Sequence, residues 1–165
     1  MFDRVLVPLR TSEYWFIAYA ILIYFLVTKF KAPGRLLLLT IALAIIFSDQ
    51  FNSQFLKELV GRIRPCHSLP DVRLLVPCGG GKSFPSSHAV NYFTLAALMT
   101  YFFPQYKYHF YTLASLIAFS QVYVGVHYPS DVLVGSFLGF AIGTLFVLFH
   151  KKLILKIFKI PEEPK

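Results

Sequence analysis

The sequence predicts an all-α fold, a polytopic membrane helix bundle with about five transmembrane helices and an N-terminal interfacial helix. Hydrophobic residues make up 56% of the 165 residues, and charged residues only 15%. Soluble domains are typically about a quarter charged, so this chain has too little polar surface to cover a soluble globule. Its apolar residues also form runs of helical length between polar or basic connections, which is the pattern of membrane helices.

Five of these apolar runs are predicted to cross the membrane. They cover residues 14–30, 35–51, 89–103, 108–126 and 132–149. At 1.5 Å per residue, a run of about 16 residues is only about 24 Å long. We therefore expect the helices to extend into polar turns at the interface or to span a locally thin bilayer.

The whole chain, residues 1–165, is predicted to form a single membrane domain with three polar segments. Residues 1–13 mix apolar and charged side chains and are too short to span, so we expect a helix that lies along the interface. Residues 57–88 form an extracytoplasmic loop, and residues 150–165 form a basic cytoplasmic tail.

The formal net charge of +8 does not indicate nucleic-acid binding, because the basic residues form no stripe and no basic helix with polar neighbours. Nine of the 16 lysines and arginines fall on one side of the five predicted spans and seven on the other. The positive-inside rule assigns the more basic side to the cytoplasm. The loop 57–88 then faces the exterior, although the opposite orientation stays open.

The first polar block is Lys57 with Arg64-Pro65. A helix that continues from the second span would place Lys57 and Arg64, seven residues apart, on one face, and it would end at Pro65. Arg62 would point elsewhere. Cations at the end of a membrane helix are suited to bind something anionic. Alone, they are equally compatible with side chains that extend to lipid headgroups.

The second block, Pro85-Ser86-Ser87-His88, precedes the apolar run that starts at Ala89. Ser86 or Ser87 is a natural N-cap, and the unpaired N–H groups just beyond a cap bind anions. His88 in the first turn favours a bound anion, since a cation otherwise gains nothing from a helix N-terminus. An ordinary helix cap is the alternative.

The third block is the turn that runs from His127 to Asp131. Pro129 prevents one continuous helix here, and Ser130 or Asp131 caps the fifth span. Asp131 can fold back to hydrogen-bond one ring nitrogen of His127, which would orient the other nitrogen as a nucleophile. A capping aspartate beside a surface histidine is the alternative.

In order and spacing, the three blocks resemble the motifs of the type 2 phosphatidic acid phosphatase family. The matching residues are Lys57, Arg64-Pro65, the Pro-Ser-x-His block that ends at His88, and Ser120, His127 and Asp131. The resemblance implies that His127 forms a phosphohistidine, that Asp131 orients His127, and that His88 acts as acid and then base. The phosphate-binding residues that it implies are Lys57, Arg64, Ser86, Ser87 and Gln121.

The same resemblance implies a membrane lipid phosphatase that acts on a phosphomonoester or a diphosphate. Undecaprenyl diphosphate, phosphatidylglycerophosphate and the 1-phosphate of lipid A are the expected substrates. No metal and no other cofactor is implied. The expected location is a bacterial inner membrane with the site facing the periplasm or exterior, and the oligomeric state is open. Two alternatives are a lipid phosphotransferase with the same intermediate and a non-enzymatic scaffold or haem or quinone carrier.

Two positions depart from the family pattern. Ser87 stands where the family usually has glycine, which is tolerated if only its N–H contacts the phosphate. Gln121 stands where the family has arginine, so a bidentate cation is lost. A natural weakening, compensation by Arg62 or Arg73, and a substitution that inactivates the enzyme are all open explanations. If arginine is the active form, Gln121→Arg should raise turnover.

The loop 57–88 contains two further features. The stretch from Gly79 to Ser83 looks like part of a nucleotide-binding P-loop, but Val76 stands where that motif needs glycine. We expect a flexible lid or hinge over the site instead. Cys66 and Cys78 are compatible with a disulfide in an oxidising compartment and with free thiols. With His67 they make no metal motif, because further ligands are missing.

Overall fold

The computed structural model describes residues 2–10 and 15–158, and its regular elements there are helices. The α-helices are α1 (Asp3–Arg10), α2 (Phe16–Lys29), α3 (Lys31–Gln50), α4 (Lys57–Val60), α5 (Pro65–Ser68), α6 (Ser87–Phe102), α7 (Lys107–Tyr123) and α8 (Pro129–Phe158). A π-helix, Phe51–Leu56, joins α3 to α4, and a 3-10 helix, Pro104–Tyr106, precedes α7. The all-α prediction is confirmed for these residues.

Two stretches in the described ranges are long and apolar enough to cross a membrane. They are Ala32–Ser68, which starts in α3, and Pro129–Leu153 in α8. The apolar helix α2 is shorter, and the count of five spans stays a prediction. Helix α8 is longer than the predicted run 132–149, because it starts at Pro129 and includes the first part of the predicted tail. Residues 159–165 of that tail lie outside the described residues.

Helices α6 and α8 pack closely along a row of glycines on α8. A Cβ atom added at Gly143 would lie 2.6 Å from the Cβ of Ala97, and one added at Gly135 would lie 2.9 Å from the carbonyl oxygen of Ser86. Small residues at four-residue spacing let two membrane helices approach closely. This packing brings the first turn of α6 next to the first turn of α8.

The prediction that Lys57 and Arg64 share one continuous helix is wrong. Helix α4 ends at Val60, because Gly61 adopts a left-handed conformation with φ of 64° and its N–H donates to the carbonyl of Lys57 at 2.9 Å. Glycine takes this conformation without steric cost. Arg64 has an extended backbone, as expected for a residue that precedes proline.

Helix α1 forms within the predicted interfacial segment 1–13 and packs against α7. Oδ1 of Asp3 accepts a hydrogen bond from the Tyr123 hydroxyl at 2.7 Å, and Oδ2 pairs with Nη2 of Arg73 at 2.8 Å. Leu6 is buried. Helix α1 is therefore fixed to the rest of the fold, while its placement in a lipid interface stays a prediction.

Candidate active site

The carboxylate of Asp131 is fully buried in the first turn of α8. Oδ2 accepts hydrogen bonds from the Ser83 hydroxyl and, at 2.9 Å, from the backbone N–H of Tyr128. Oδ1 pairs with Nη1 of Arg62 at 2.8 Å. Both oxygens thus have donors, which is what a buried charge requires.

His127 lies in the turn between α7 and α8 and is 4% exposed. Its Nδ1 faces Oδ2 of Asp131 at 3.4 Å, within ion-pair distance, and makes no hydrogen bond of its own among the described residues. The backbone N–H of His127 donates to the carbonyl of Gln121 at 3.2 Å. Since Nδ1 faces the carboxylate, the other ring nitrogen, Nε2, is the one that can contact a substrate.

The turn before His127 depends on Gly125. This residue has a φ of 83°, and a Cβ atom there would lie 2.7 Å from Cγ1 of Val72. Any other residue would be strained and would push against the outer loop. Gly125 therefore allows the outer loop to pack against the turn that presents His127.

Burial lowers the pKa of the His127 imidazole below its ordinary value. The Asp131 carboxylate opposes this shift, whereas the cations Arg64 and Lys57 add to it. A buried imidazole beside two positive charges favours its neutral form. His127 is therefore in the protonation state that a nucleophile needs at neutral pH.

The cations Lys57 and Arg64 are held by neutral carbonyl groups of the outer loop. Nζ of Lys57 donates to the carbonyl of Lys82 at 2.8 Å, and Nε of Arg64 donates to the carbonyl of Gly81 at 2.9 Å. Within residues 2–10 and 15–158, neither cation forms a salt bridge. Two positive charges beside His127 without an anionic partner are suited to bind an anion.

The start of α6 supplies uncharged donors at the same place. Ser86 occupies the N-cap position without a side-chain capping bond, and its backbone N–H donates to the carbonyl of Asp131 at 3.1 Å. The Ser86 hydroxyl is buried and has no hydrogen-bond partner among the described residues. Buried polar groups are nearly always paired, so this hydroxyl and the nearby N–H groups are suited to a bound anion.

The side chain of Ser87 is positioned by Asn52. The Asn52 amide nitrogen lies 3.0 Å from Oγ of Ser87 and 3.4 Å from the carbonyl oxygen of Pro85. Asn52 is fully buried in the π-helix that joins α3 to α4. It thereby joins the start of α6 to the π-helix that precedes Lys57.

His88 lines a cavity of about 570 Å³ between α2, α3 and α6. Its ring stacks on that of Tyr92, with centroids 6.5 Å apart. The polar side chains of the cavity belong to Arg10, Tyr19, Asp49, Ser87, His88, Asn91 and Tyr92. The remaining wall is apolar and comes from deeper turns of the three helices, so the cavity runs from His88 into the bundle.

Gln121 contributes no charge to the site. It is fully buried, and its amide nitrogen lies 3.2 Å from Oγ of Ser120 and 3.4 Å from the carbonyl oxygen of Ile117. The Gln121 amide oxygen is without a hydrogen-bond partner in the part of the chain that the structure describes. The hydrogen bonds of the Gln121 side chain therefore stay within α7.

Two arginines proposed from the sequence to compensate for Gln121 are engaged elsewhere. Arg62 pairs with Asp131, and its guanidinium lies 3.9 Å above the centroid of the Tyr128 ring. Arg73 pairs with Asp3 in the first turn of α1. The expectation that Arg62 points away from the site is wrong, because the chain leaves the helix at Gly61.

The three sequence blocks come together around His127, and further residues contact them. The sequence did not identify Ser83 or Asn52 as site residues, and it offered Arg62 only as compensation for Gln121, yet each contacts a motif residue. Of the three, only Arg62 had a sequence signal, its charge. The hydrogen bonds of Ser83 and Asn52 join positions more than 30 residues apart, so no local pattern could identify them.

Cys66 and Cys78 form a disulfide, with Cα atoms 6.2 Å apart. Nε2 of His67 is 3.2 Å from Sγ of Cys78 and 3.0 Å from the carbonyl oxygen of Gly79. The ligand atoms of the three side chains lie within 4.8 Å of one another. The two sulfur atoms are bonded to each other, however, so this cluster closes a loop and offers no thiolate to a metal.

A buried histidine that faces a fixed carboxylate and two unpaired cations has the geometry of an enzyme that handles phosphate groups. Residues 33–155 match the PAP2 superfamily, and the chain belongs to that superfamily. It is therefore a helical membrane enzyme of the lipid phosphatase class.

Three known proteins illustrate this similarity. The chain is 34% identical over 151 residues to a lipid A 4'-phosphatase of Bacteroides thetaiotaomicron, which covers 87% of this chain and 67% of the relative. It resembles the crystal structure of Aquifex aeolicus LpxE with a TM-score of 0.66 and 27% identity, over 89% of this chain and 86% of that one. It also resembles a transmembrane phosphatidylglycerolphosphate phosphatase of Bacillus subtilis, with a TM-score of 0.64 and 26% identity, over 92% and 77% of the two chains.

Proposed function

We propose that this enzyme removes a phosphoryl group from a membrane lipid through a phosphohistidine on His127. The observation that supports this most strongly is the arrangement around His127. Its Nδ1 faces the buried carboxylate of Asp131 at 3.4 Å, and the unpaired cations Lys57 and Arg64 act on the same ring. A neutral nucleophile and an anion-binding group are thus adjacent.

The reaction proceeds in two displacements. Nε2 of His127 forms a bond to phosphorus while the bond from phosphorus to the lipid oxygen breaks. Burial and the nearby cations lower the pKa of His88 in the free protein, whereas a bound phosphate dianion favours its protonated form. His88 then gives the leaving lipid oxygen its proton. His88 then takes a proton from water, whose oxygen attacks phosphorus and breaks the bond to His127. Free phosphate leaves, and both histidines return to their starting states.

The phosphoryl oxygens would be held by two cations that form no salt bridge in the described residues and by donors at the start of α6. Lys57 and Arg64 supply charge, while the Ser86 hydroxyl and the backbone N–H of Ser87 supply hydrogen bonds. Gln121 supplies at most an uncharged hydrogen bond. Fixed donors of this kind stabilise the charge that develops as phosphorus changes partners.

The cavity beside His88 supports a lipid substrate. Its polar end adjoins the reacting groups, and its apolar wall between α2, α3 and α6 matches a hydrocarbon chain. A substrate could thus place its phosphate at His88 and its chain within the bundle. No metal and no other cofactor has a role in this mechanism.

We expect activity on several lipids that share a terminal phosphate. The panel should contain undecaprenyl diphosphate, phosphatidylglycerophosphate and lipid A with phosphate at the 1 or 4' position. The outer loop between Pro65 and Pro85 is short, which leaves little room for a selective cap. Activity on only one of these lipids would refute the proposed breadth.

The decisive experiment is phosphate release by purified enzyme, compared with His127→Ala, His88→Ala and the control His109→Ala. His109 is exposed and lies at the start of α7. We expect His127→Ala to fall to the background rate and His88→Ala to lose about 10²–10⁴-fold, while His109→Ala is unchanged. Full activity of His127→Ala would disprove the mechanism. Labelled phosphate that appears in a second lipid instead of water would indicate a phosphotransferase.

We also propose that residues 1–165 form one domain with five spans in a bacterial inner membrane, with residues 57–88 on the outer side and residues 150–165 inside. Since both cysteines are bonded, a single new cysteine can report the topology. In intact cells, an impermeant maleimide should label Leu69→Cys but not Lys107→Cys. The reverse pattern would show the opposite orientation.

A further inference from the structure

We infer that Arg10, the last residue of α1, binds the substrate phosphate and supplies the positive charge that Gln121 does not. This inference rests on the proposed function, because it concerns the same phosphate. It assigns a role in the site to the N-terminal helix, which contains none of the three sequence blocks.

Arg10 is placed at the polar end of the cavity that His88 lines. Both side chains belong to the cavity wall, and the backbone of Arg10 lies within hydrogen-bonding range of the His88 ring. A guanidinium at this position adjoins the group that would protonate the leaving oxygen. A phosphate bound at His88 would therefore lie near Arg10.

The position of Arg10 is set by contacts at both ends of α1. At the start of the helix, Asp3 is bonded to Tyr123 and to Arg73. At its end, Nε1 of Trp15 donates to the carbonyl of Leu9 at 2.9 Å. These bonds connect α1 to α7, to the outer loop and to the start of α2, so Arg10 is held over the cavity.

The surroundings of Arg10 lack the anion that its charge requires. Among the described residues it forms no salt bridge. Burial, and then the neighbouring guanidinium of Arg64, lower the pKa of Arg10. Asp49, the acidic residue of the same cavity, accepts a hydrogen bond from the Asn91 amide at 3.2 Å and is not paired with Arg10.

Arg10, Arg64 and Lys57 thus converge on one region whose buried carboxylate, Asp131, is already paired with Arg62. Half-buried like charges are unfavourable unless an anion joins them. A phosphate dianion is such a group, and guanidinium binds it with two parallel hydrogen bonds. Arg10 is therefore suited to replace the bidentate contact that an arginine at position 121 would make.

The test compares Arg10→Gln and Arg10→Lys with the control Arg4→Gln. Arg4 lies on the same helix but is exposed. A lost hydrogen bond between charged groups corresponds to roughly a 10- to 100-fold effect. We expect Arg10→Gln to lower kcat/KM and weaken inhibition by orthovanadate by about that factor, with partial recovery in Arg10→Lys and no change in Arg4→Gln.

A double variant tests the link to Gln121. If the two positions serve the same phosphate, Gln121→Arg should restore most of the kcat/KM that Arg10→Gln removes. Gln121→Arg should also raise kcat/KM by a larger factor in the Arg10→Gln variant than in the unaltered enzyme. Independent effects of the two substitutions would overturn the assignment.

The outcomes separate this inference from the proposed function. Loss of activity in His127→Ala together with full activity and full vanadate sensitivity in Arg10→Gln would overturn only the role of Arg10. If the unaltered enzyme released no phosphate from any lipid, calorimetric binding of orthovanadate to the enzyme in detergent would test Arg10 alone. Equal affinity in Arg10→Gln would then overturn it. Thermal unfolding and the Arg10→Lys variant reveal any loss caused by misfolding.

Discussion

Nη1 of Arg62 lies 2.8 Å from Oδ1 of Asp131, and this ion pair fixes the carboxylate whose other oxygen faces His127. The guanidinium of Arg62 also donates to Oγ of Ser130 at 2.7 Å and lies above the Tyr128 ring. Arg62 therefore holds the turn that contains His127 at three points. We therefore expect Arg62 to act on His127 through Asp131 without contacting the substrate phosphate.

Arg62→Gln should lower kcat while leaving KM nearly unchanged. The substitution removes the charge from Oδ1 of Asp131, but Ser83 and the N–H of Tyr128 still hold Oδ2. We expect about a tenfold loss of kcat, on the order of one hydrogen bond to a charged group. Steady-state kinetics with the best lipid of the panel will measure it.

Arg35→Gln is the matched control for this prediction, because Arg35 is exposed and lies at the start of α3, at the opposite end of that helix from the site. It should behave like the unaltered enzyme. A rise in KM without a change in kcat for Arg62→Gln would show instead that Arg62 contacts the phosphate.

Arg62 also illustrates what could be predicted from the sequence. The apolar runs identified the helical class and the approximate helix positions, and the motif spacing identified Lys57 and His127 as site residues whose roles remain predictions. The direction of Arg62 depended on Gly61, whose left-handed conformation ends α4 before Pro65. A glycine permits that conformation but does not require it, so the break could not be predicted from the sequence.

The contacts between distant segments could not be predicted for a different reason. Ser83 and Asn52 are small polar residues of common type, and their partners are set by how α6 packs against α8 and the π-helix. The predicted helix ends also differ from the observed ones, since α8 begins at Pro129 and not at Val132. Proline fits well in the first turn of a helix, so the turn is shorter than expected.

When kcat/KM is plotted against pH, its fall on the acidic side should occur below pH 6.5, the ordinary pKa of histidine. Burial and the cations Arg64 and Lys57 lower the pKa of His127, and only its neutral form is a nucleophile. Activity is therefore retained as the pH falls through 6.5 and is lost only when the pH falls through the lowered pKa. The pH dependence of kcat/KM will measure it.

Asp131→Asn should shift this acidic fall in kcat/KM further toward low pH. The carboxylate of Asp131 raises the pKa of His127, so its removal makes protonation harder. At the same time kcat should fall by roughly 10²-fold, because the ring is no longer oriented. An acidic fall that moves to higher pH in Asp131→Asn would contradict the assignment of His127 as the group that titrates.

Removing the Cys66–Cys78 disulfide should weaken substrate binding more than it slows chemistry. Cys66 follows Arg64-Pro65, and Cys78 precedes the carbonyls of Gly81 and Lys82 that hold the two cations. The bond closes a loop with a sequence separation of 12 residues, and such a bond typically stabilises a fold by about 2–4 kcal/mol. Without it, the carbonyls are free to move away from Lys57 and Arg64.

Cys66→Ser/Cys78→Ser should therefore raise KM severalfold, with a smaller change in kcat, and lower the thermal unfolding temperature. Dithiothreitol should produce the same change in the unaltered enzyme and none in the double variant, which controls for effects of the reductant. The histidines are positioned by α6 and by the turn before α8, which the disulfide does not join. A large loss of kcat at unchanged KM would therefore mean that the loop positions the reacting groups and not the phosphate-binding cations.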